Sequence, residues 1–267
     1  MTAAFQLKTQ LRRRVVQFAA AVAFCFAAAP VNADEVKIAV AANFTQAAKD
    51  IGALFEEKTG HKAVFSFGST GQLFTQIAKG APFEVFLAAD QKRPQKTGAE
   101  GLAQADSRFT YATGKIALYS RDAKLVDGPG TLKQGRFSKI AIANPVTAPY
   151  GAAAVAAMKA LGVYDAVKAK IVQGNNIAQT HQFVASGNAE LGFVALSQIA
   201  AHTDGSRWLV PENLYPAIAQ DAILLNNGKT NPAARAFLIF LGGPDANQVK
   251  EKFGYGVGEP PKIKPDA

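Results

Sequence analysis

Residues 64–80 read VFSFGSTGQLFTQIAKG. Val64 to Phe67 carries the β-branched and aromatic residues of a strand, and Leu73, Phe74 and Ile77 recur at helical spacing. Between them lies Gly68-Ser69-Thr70-Gly71, a loop of small, hydroxyl-bearing residues at the mouth of a helix. Ser and Thr at a helix start satisfy orphan backbone N–H groups, and helix capping is the commonest use of such a loop. The same N–H groups, with the positive end of the helix dipole, also attract an anion. The loop is not a P-loop, because the GxxxxGK[ST] spacing is missing.

Upstream, Val36 to Val40 reads as a buried strand, and Ala41-Ala42-Asn43-Phe44-Thr45 leads into a helix with apolar positions Ala48, Ile51, Leu54 and Phe55. Gly60 is placed to end it. Downstream, Gly80-Ala81-Pro82 stops the second helix, and Val85 to Ala88 makes a third strand opening into Asp90-Gln91-Lys92. This βαβαβ run implies a parallel sheet with helices on its faces. A second run has strands at Ile116–Tyr119, Ile140–Ala143 and Leu191–Ala195, an Ala-rich helix after Pro149-Tyr150-Gly151, and a helix opened by Gly174-Asn175-Asn176-Ile177. Near Pro216 the chain returns to an extended run, Ala222–Leu225, then to a helix from Asn231-Pro232 and a last one reaching Gly254.

The expected fold is therefore α/β and two-lobed, each lobe a mostly parallel sheet flanked by helices. Residues 34–113 with 216–258 form lobe 1, residues 114–215 form lobe 2, and 259–267 form a C-terminal tail. Ligands bind such sheets outside the carboxyl ends of strands, at helix N-termini. Four polar loops qualify: Ala42-Asn43, Ser69-Thr70, Pro149-Tyr150 and Asn176-Ile177.

The N-terminus has Lys8 and Arg12 to Arg14, an apolar run from Val15 to Ala29, and Val31-x-Ala33 ahead of Asp34. Residues 1–33 thus read as a secretory signal peptide, the apolar run being shorter than the ~20 residues of a spanning helix. The single cysteine, Cys25, falls inside the leader, so disulfides, thiolate catalysis and Cys-bound metals are excluded for the mature chain. Phe24 is too bulky to precede a lipid-modified Cys, so the mature protein is expected free in the periplasm. Removing the four basic residues of the leader takes the net charge from +9 to +5. The remaining charges are interspersed, which argues against nucleic acid as a partner, while a mildly basic surface favours an anion.

The motifs VAANFTQA, SFGSTGQLFTQIAKGAP, VFLAADQK, ANPVTAPYG, ELGFVA and PAARAFLIFLGGPDA, in this order, span the mature chain. Together they resemble the periplasmic molybdate-binding proteins, soluble receptors of ABC importers. The resemblance implies a periplasmic binding protein fold with its ligand cleft between the lobes, closing on one molybdate or tungstate. It also implies a monomer that partners the membrane permease of the importer, with no cofactor and no catalysis. Carried over residue by residue, it points to Asn43 with the Ala42 amide, Ser69 or Thr70, Tyr150, and the backbone of Ile177. Molybdenum or tungsten would enter only as the oxyanion, through these same groups. Some members place a ligand-binding Tyr in the strand near Gly192, where this chain has Ala195; Asn43 and Tyr150 look like a variant without that tyrosine.

A fully deprotonated dianion presents only acceptors, so its site needs only donors: backbone N–H, Ser and Thr hydroxyls, amide NH2 and Tyr O–H. Hydrogen phosphate keeps a proton that wants an acceptor, and none of the four loops contains Asp or Glu. Sulfate, another tetrahedral oxyanion, has the right protonation and must be sorted by size. A ferric receptor is the further alternative, disfavoured because Tyr150 has no neighbouring Tyr or carboxylate in its loop. An enzyme is disfavoured by scattered histidines (His61, His181, His202) and the lack of a GxSxG elbow. Asp90 is read as tying down the turn after its strand.

Overall fold

The computed structural model describes residues 33–261. The signal peptide expected over residues 1–33 falls almost wholly outside them, as does the end of the tail. Among the described residues no helix is long and apolar enough to cross a membrane.

The first sheet has the order β11-β4-β10-β3-β1-β2 and the second β7-β6-β8-β5-β9. Their strands are β1 (Glu35–Ala41), β2 (Lys62–Gly68), β3 (Val85–Leu87), β4 (Phe109–Gly114), β5 (Ile116–Ser120), β6 (Ile140–Ala143), β7 (Ile171–Gly174), β8 (Leu191–Ala195), β9 (Ser206–Leu209), β10 (Ile218–Leu224) and β11 (Gly256–Val257). Helices of eight residues or more are α1 (Thr45–Thr59), α2 (Thr70–Ala78), α3 (Lys92–Ala99), α4 (Pro149–Ala160), α5 (Ile177–Ala185), α6 (Pro232–Leu241) and α7 (Pro244–Lys252).

Both faces of the first sheet are covered. Val36, Ile38 and Val40 of β1 pack with Ile51 and Phe55 of α1 and with Phe237 and Leu238 of α6. Ala39, pointing the other way, packs with Leu73 and Ile77 of α2. In the second sheet Ile140, Ile142 and Phe193 pack with Ala154 and Met158 of α4. Val184 of α5 lies on the opposite face, against Ala141 and Val194. Gly60 ends α1 in the left-handed conformation (φ 74°), its N–H bonded to the Glu56 carbonyl.

The βαβ runs give parallel pairs, β1 with β2 and β3, and β6 with β7 and β8. The rest of each sheet is antiparallel: β10 pairs with both β3 and β4, and β5 with both β8 and β9. Both sheets are thus mixed, more so than the expected mostly parallel ones. The antiparallel strands include those that carry the chain between the sheets, from β4 through Lys115 into β5 and from β9 back into β10. β10 also starts four residues earlier than the expected run at Ala222, and its pairing with β4 shifts register between Gln220 and Asp221.

Candidate functional site

The six residues singled out in sequence, Ala42, Asn43, Ser69, Thr70, Tyr150 and Ile177, line one small cavity of about 10 Å3, with Ala41, Gly68, Ala89, Ala148, Pro149 and Asn176. Each of the six is 5% exposed or less, and the half-buried Pro149 and Asn176 complete the wall. No Lys, Arg, His, Asp or Glu lines it. Ala42, Thr70, Pro149 and Ile177 are the first residues of a 3-10 turn, α2, α4 and α5. Four helical N-termini therefore meet at one point, and the N–H groups of a first turn have no acceptor within their own helix. A larger cavity of about 330 Å3 adjoins it past Ala89 and Pro149, with Asp90, Lys92 and Arg93 on its wall.

The hydroxyls of the opening loop do not cap α2. Ser69 occupies the N-cap position without a side-chain cap bond, and its Oγ donates to Gln72 Oε1 (2.9 Å). Thr70 Oγ1 accepts the Ala89 N–H (3.0 Å), which leaves its own hydrogen to donate. Asn43 is not a helix cap either: α1 is preceded by Phe44, and the Asn43 side chain points into a buried polar network. Asn43 Nδ2 donates to Gln220 Oε1 (2.8 Å) and Tyr255 Oη (3.1 Å), with Tyr150 Oη at 3.3 Å. Two hydrogens serve three acceptors, so the longest bond is shared. The side-chain amide is thus committed to protein, and what Asn43 offers the cavity is its main-chain N–H.

Tyr150 reaches from α4 across to the first sheet. Its hydroxyl accepts from Asn43 and from Gln220 Nε2 (3.3 Å). Gln220, fully buried on β10, also accepts from Tyr111 Oη (3.2 Å), which is bonded to the Ala88 carbonyl as well. Tyr255 Oη donates to the Asn43 carbonyl (2.7 Å) and lies 2.9 Å from Ser197 Oγ. Burial pushes the Tyr150, Tyr111 and Tyr255 hydroxyls well above the usual tyrosine range, each reinforced by a neighbouring tyrosine or by Asp221 in the first two cases. All three remain protonated donors.

Sequence reasoning missed Tyr111, Gln220, Tyr255 and Ser197. A polar residue inside an apolar strand run was the available signal for Gln220. Phe67 is exposed near the end of β2, and Phe44 is buried. Asp90 does tie down its turn: Oδ1 accepts the Arg93 N–H (2.9 Å) and the carboxylate pairs with the Arg93 guanidinium.

A closed cleft between two α/β lobes, lined by neutral donors at helix N-termini, is the architecture of a solute-binding protein. The chain belongs to the family of bacterial extracellular solute-binding proteins, whose pattern matches residues 36–256. It is 53% identical to the molybdate-binding protein ModA of Azotobacter vinelandii over 92% of this chain and 98% of that one. The ModA of Rhodobacter capsulatus is 51% identical over 85% and 90% of the two chains. The solved periplasmic molybdate-binding protein of Azotobacter vinelandii superposes with a TM-score of 0.80 at 40% identity, covering 83% of this chain and 99% of that one.

Proposed function

We propose that this protein captures molybdate in the periplasm and delivers it to the permease of an ABC importer, acting as a binding protein without catalysis. One observation carries the reading: a small cavity lined by four helical N-termini and by neutral side chains alone. Hydrogen bonds to a charged acceptor contribute about 1.5–3 kcal/mol each, so a handful suffices for tight binding without a buried cation. The donors in this reading are the main-chain N–H groups of Ala42, Asn43, Tyr150 and Ile177 and the Thr70 hydroxyl, with the Ser69 hydroxyl joining them by turning its hydrogen from Gln72 to the anion. Tungstate presents the same acceptors at nearly the same size and binds comparably. The molybdate-binding relatives support molybdate over sulfate, which has the same acceptors on a smaller frame.

Isothermal titration of the mature, dialysed protein with molybdate, tungstate, sulfate and phosphate tests this. One-to-one binding of the first two, with the last two silent, is the expected result. Preference for sulfate or phosphate would overturn the substrate, and silence for all four would overturn the receptor reading.

A further inference from the structure

Two adjacent side chains on the short helical turn Leu196–Ile199, which follows β8, each hold a main chain that lines the anion cavity. Gln198 bridges two backbone groups. Its Oε1 accepts the Ala195 N–H (3.0 Å) and its Nε2 donates to the Ile177 carbonyl (3.0 Å). An N–H can only donate and a carbonyl can only accept, so these two partners fix which end of the amide is which. The bridge ties the first residue of α5 to the end of β8. At that helix start the Asn176 side chain takes the Gln179 N–H (3.0 Å), while the Ile177 N–H has no acceptor in its own helix.

Ser197 reaches the other way. Its hydroxyl donates to the Asn43 carbonyl (2.9 Å), which Tyr255 Oη approaches at 2.7 Å, so both lone pairs of that carbonyl are used. Asn43 lies in the turn after β1 of the first sheet, whereas Ser197 follows β8 of the second. The Ser197 bond therefore crosses the cleft, and the Gln198 bond stays on one side of it.

We infer that Ser197 and Gln198 are positioning residues that gauge the anion: together they fix the separation of the Asn43 and Ile177 main chains, and with it the size of oxyanion the cavity accepts. This rests on the oxyanion reading above. Molybdate and sulfate carry the same charge and offer the same acceptors, so only size separates them. Size is sensed only where donors from the two sheets cannot drift together around a smaller ion. Two neighbouring residues, each bonded to one of those donor-bearing segments, supply that rigidity. Their roles differ in time, because the Ser197 bond forms only when the cleft closes and the Gln198 bond is kept when it opens.

The test is calorimetric titration with molybdate at rising sulfate concentration, with release followed by stopped flow. Gln198→Met keeps the length of the side chain and loses both bonds. Molybdate affinity should fall about 3–10-fold, the factor expected for one or two lost hydrogen bonds, while sulfate loses less, so the ratio between the two falls. Ser197→Ala should speed molybdate release by a similar factor with association unchanged, and lower the ratio in the same direction. Deleting one oxygen there also serves if Gln198→Met does not fold. Ser197→Thr keeps the hydroxyl and should restore both the release rate and the ratio. Equal losses for molybdate and sulfate in the two variants, or a ratio that stays as low in Ser197→Thr as in Ser197→Ala, would overturn the proposal. Should the parent itself bind no oxyanion, the receptor reading fails instead, a result distinguishable at the first titration.

Discussion

At the scale of single residues, the site's chemistry depends on side chains whose partners are remote in sequence. Asn43 shows why: its amide holds Gln220 and Tyr255, so Asn43→Ala leaves buried groups unpaired besides disturbing the cavity. The expected cost is about 1–3 kcal/mol of stability, read as a lower denaturant midpoint, along with weaker binding. An unchanged midpoint would show the network to be dispensable for folding. Tyr150→Phe keeps the ring but removes the hydroxyl that accepts from Asn43 and Gln220, and should weaken molybdate binding by about 1–3 kcal/mol through the disturbed Asn43. Because burial raises the Tyr150 hydroxyl above the usual tyrosine range, its neutral form persists on the alkaline side, and molybdate affinity should not fall between pH 7 and pH 9. An affinity falling steadily over that interval would mean that the hydroxyl ionises. The four loops were legible because strand, small polar residues and helix follow one another locally in each. The network was not, since no local pattern joins position 43 to 220 or 255; only the folded sheets bring them together.

At the scale of elements, parallel units announce themselves and crossing strands do not. β1, β6 and β8 are apolar runs bounded by turn residues and were read nearly to the residue. β4 has the sequence FTYATG, in which Thr and Gly interrupt the pattern, and it earns its place through pairing with β10 and β11. β7 and β9 are only four residues long. At the register shift in β10, Gln220 faces the site network while fully buried Asp221 is held by the Arg108 guanidinium and by Thr110 Oγ1 (2.7 Å). A second buried charge sits on α7. Lys250 Nζ donates to the Tyr111 and Leu241 carbonyls, both at 2.9 Å, and burial lowers its amine from 10.5 to about 8. Between those two values the unfolded chain binds more protons than the folded one, so stability rises with pH across that window. Urea midpoints at pH 7.5 and 9.5 should therefore rise more in the parent than in Lys250→Met. An equal change in both would show that the buried amine is not the titrating group.

At the scale of the whole molecule, the closed cleft is held by bonds between the two sheets' sides that need no ligand. The Gly71 N–H donates to the Thr147 carbonyl (2.9 Å), Arg93 Nη2 to the Val146 carbonyl (2.8 Å), and Ser197 Oγ to the Asn43 carbonyl (2.9 Å). Each such bond nets only about 0.5–1.5 kcal/mol against water. Thr147 Oγ1, beside the first of these bonds, is buried without a partner among the described residues. The bonds of Tyr150 to Asn43 and Gln220 and of Tyr255 to Ser197 also cross the cleft, and a dianion bonding to both sides shifts the balance further toward closure. Arg93 tests this balance, because it bridges Val146 from the wall of the larger cavity and does not line the anion cavity. Arg93→Ala should open the unliganded protein, seen as a larger radius of gyration in solution scattering, and speed molybdate release by roughly 3–10-fold, the factor expected for one lost hydrogen bond. Affinity should fall by a similar factor, since ligand binding must then supply the closure that the clasp had provided. A faster release with an unchanged radius would place the effect on a local rim motion, and no change in either would mean that the arginine clasp contributes nothing to holding the lobes together.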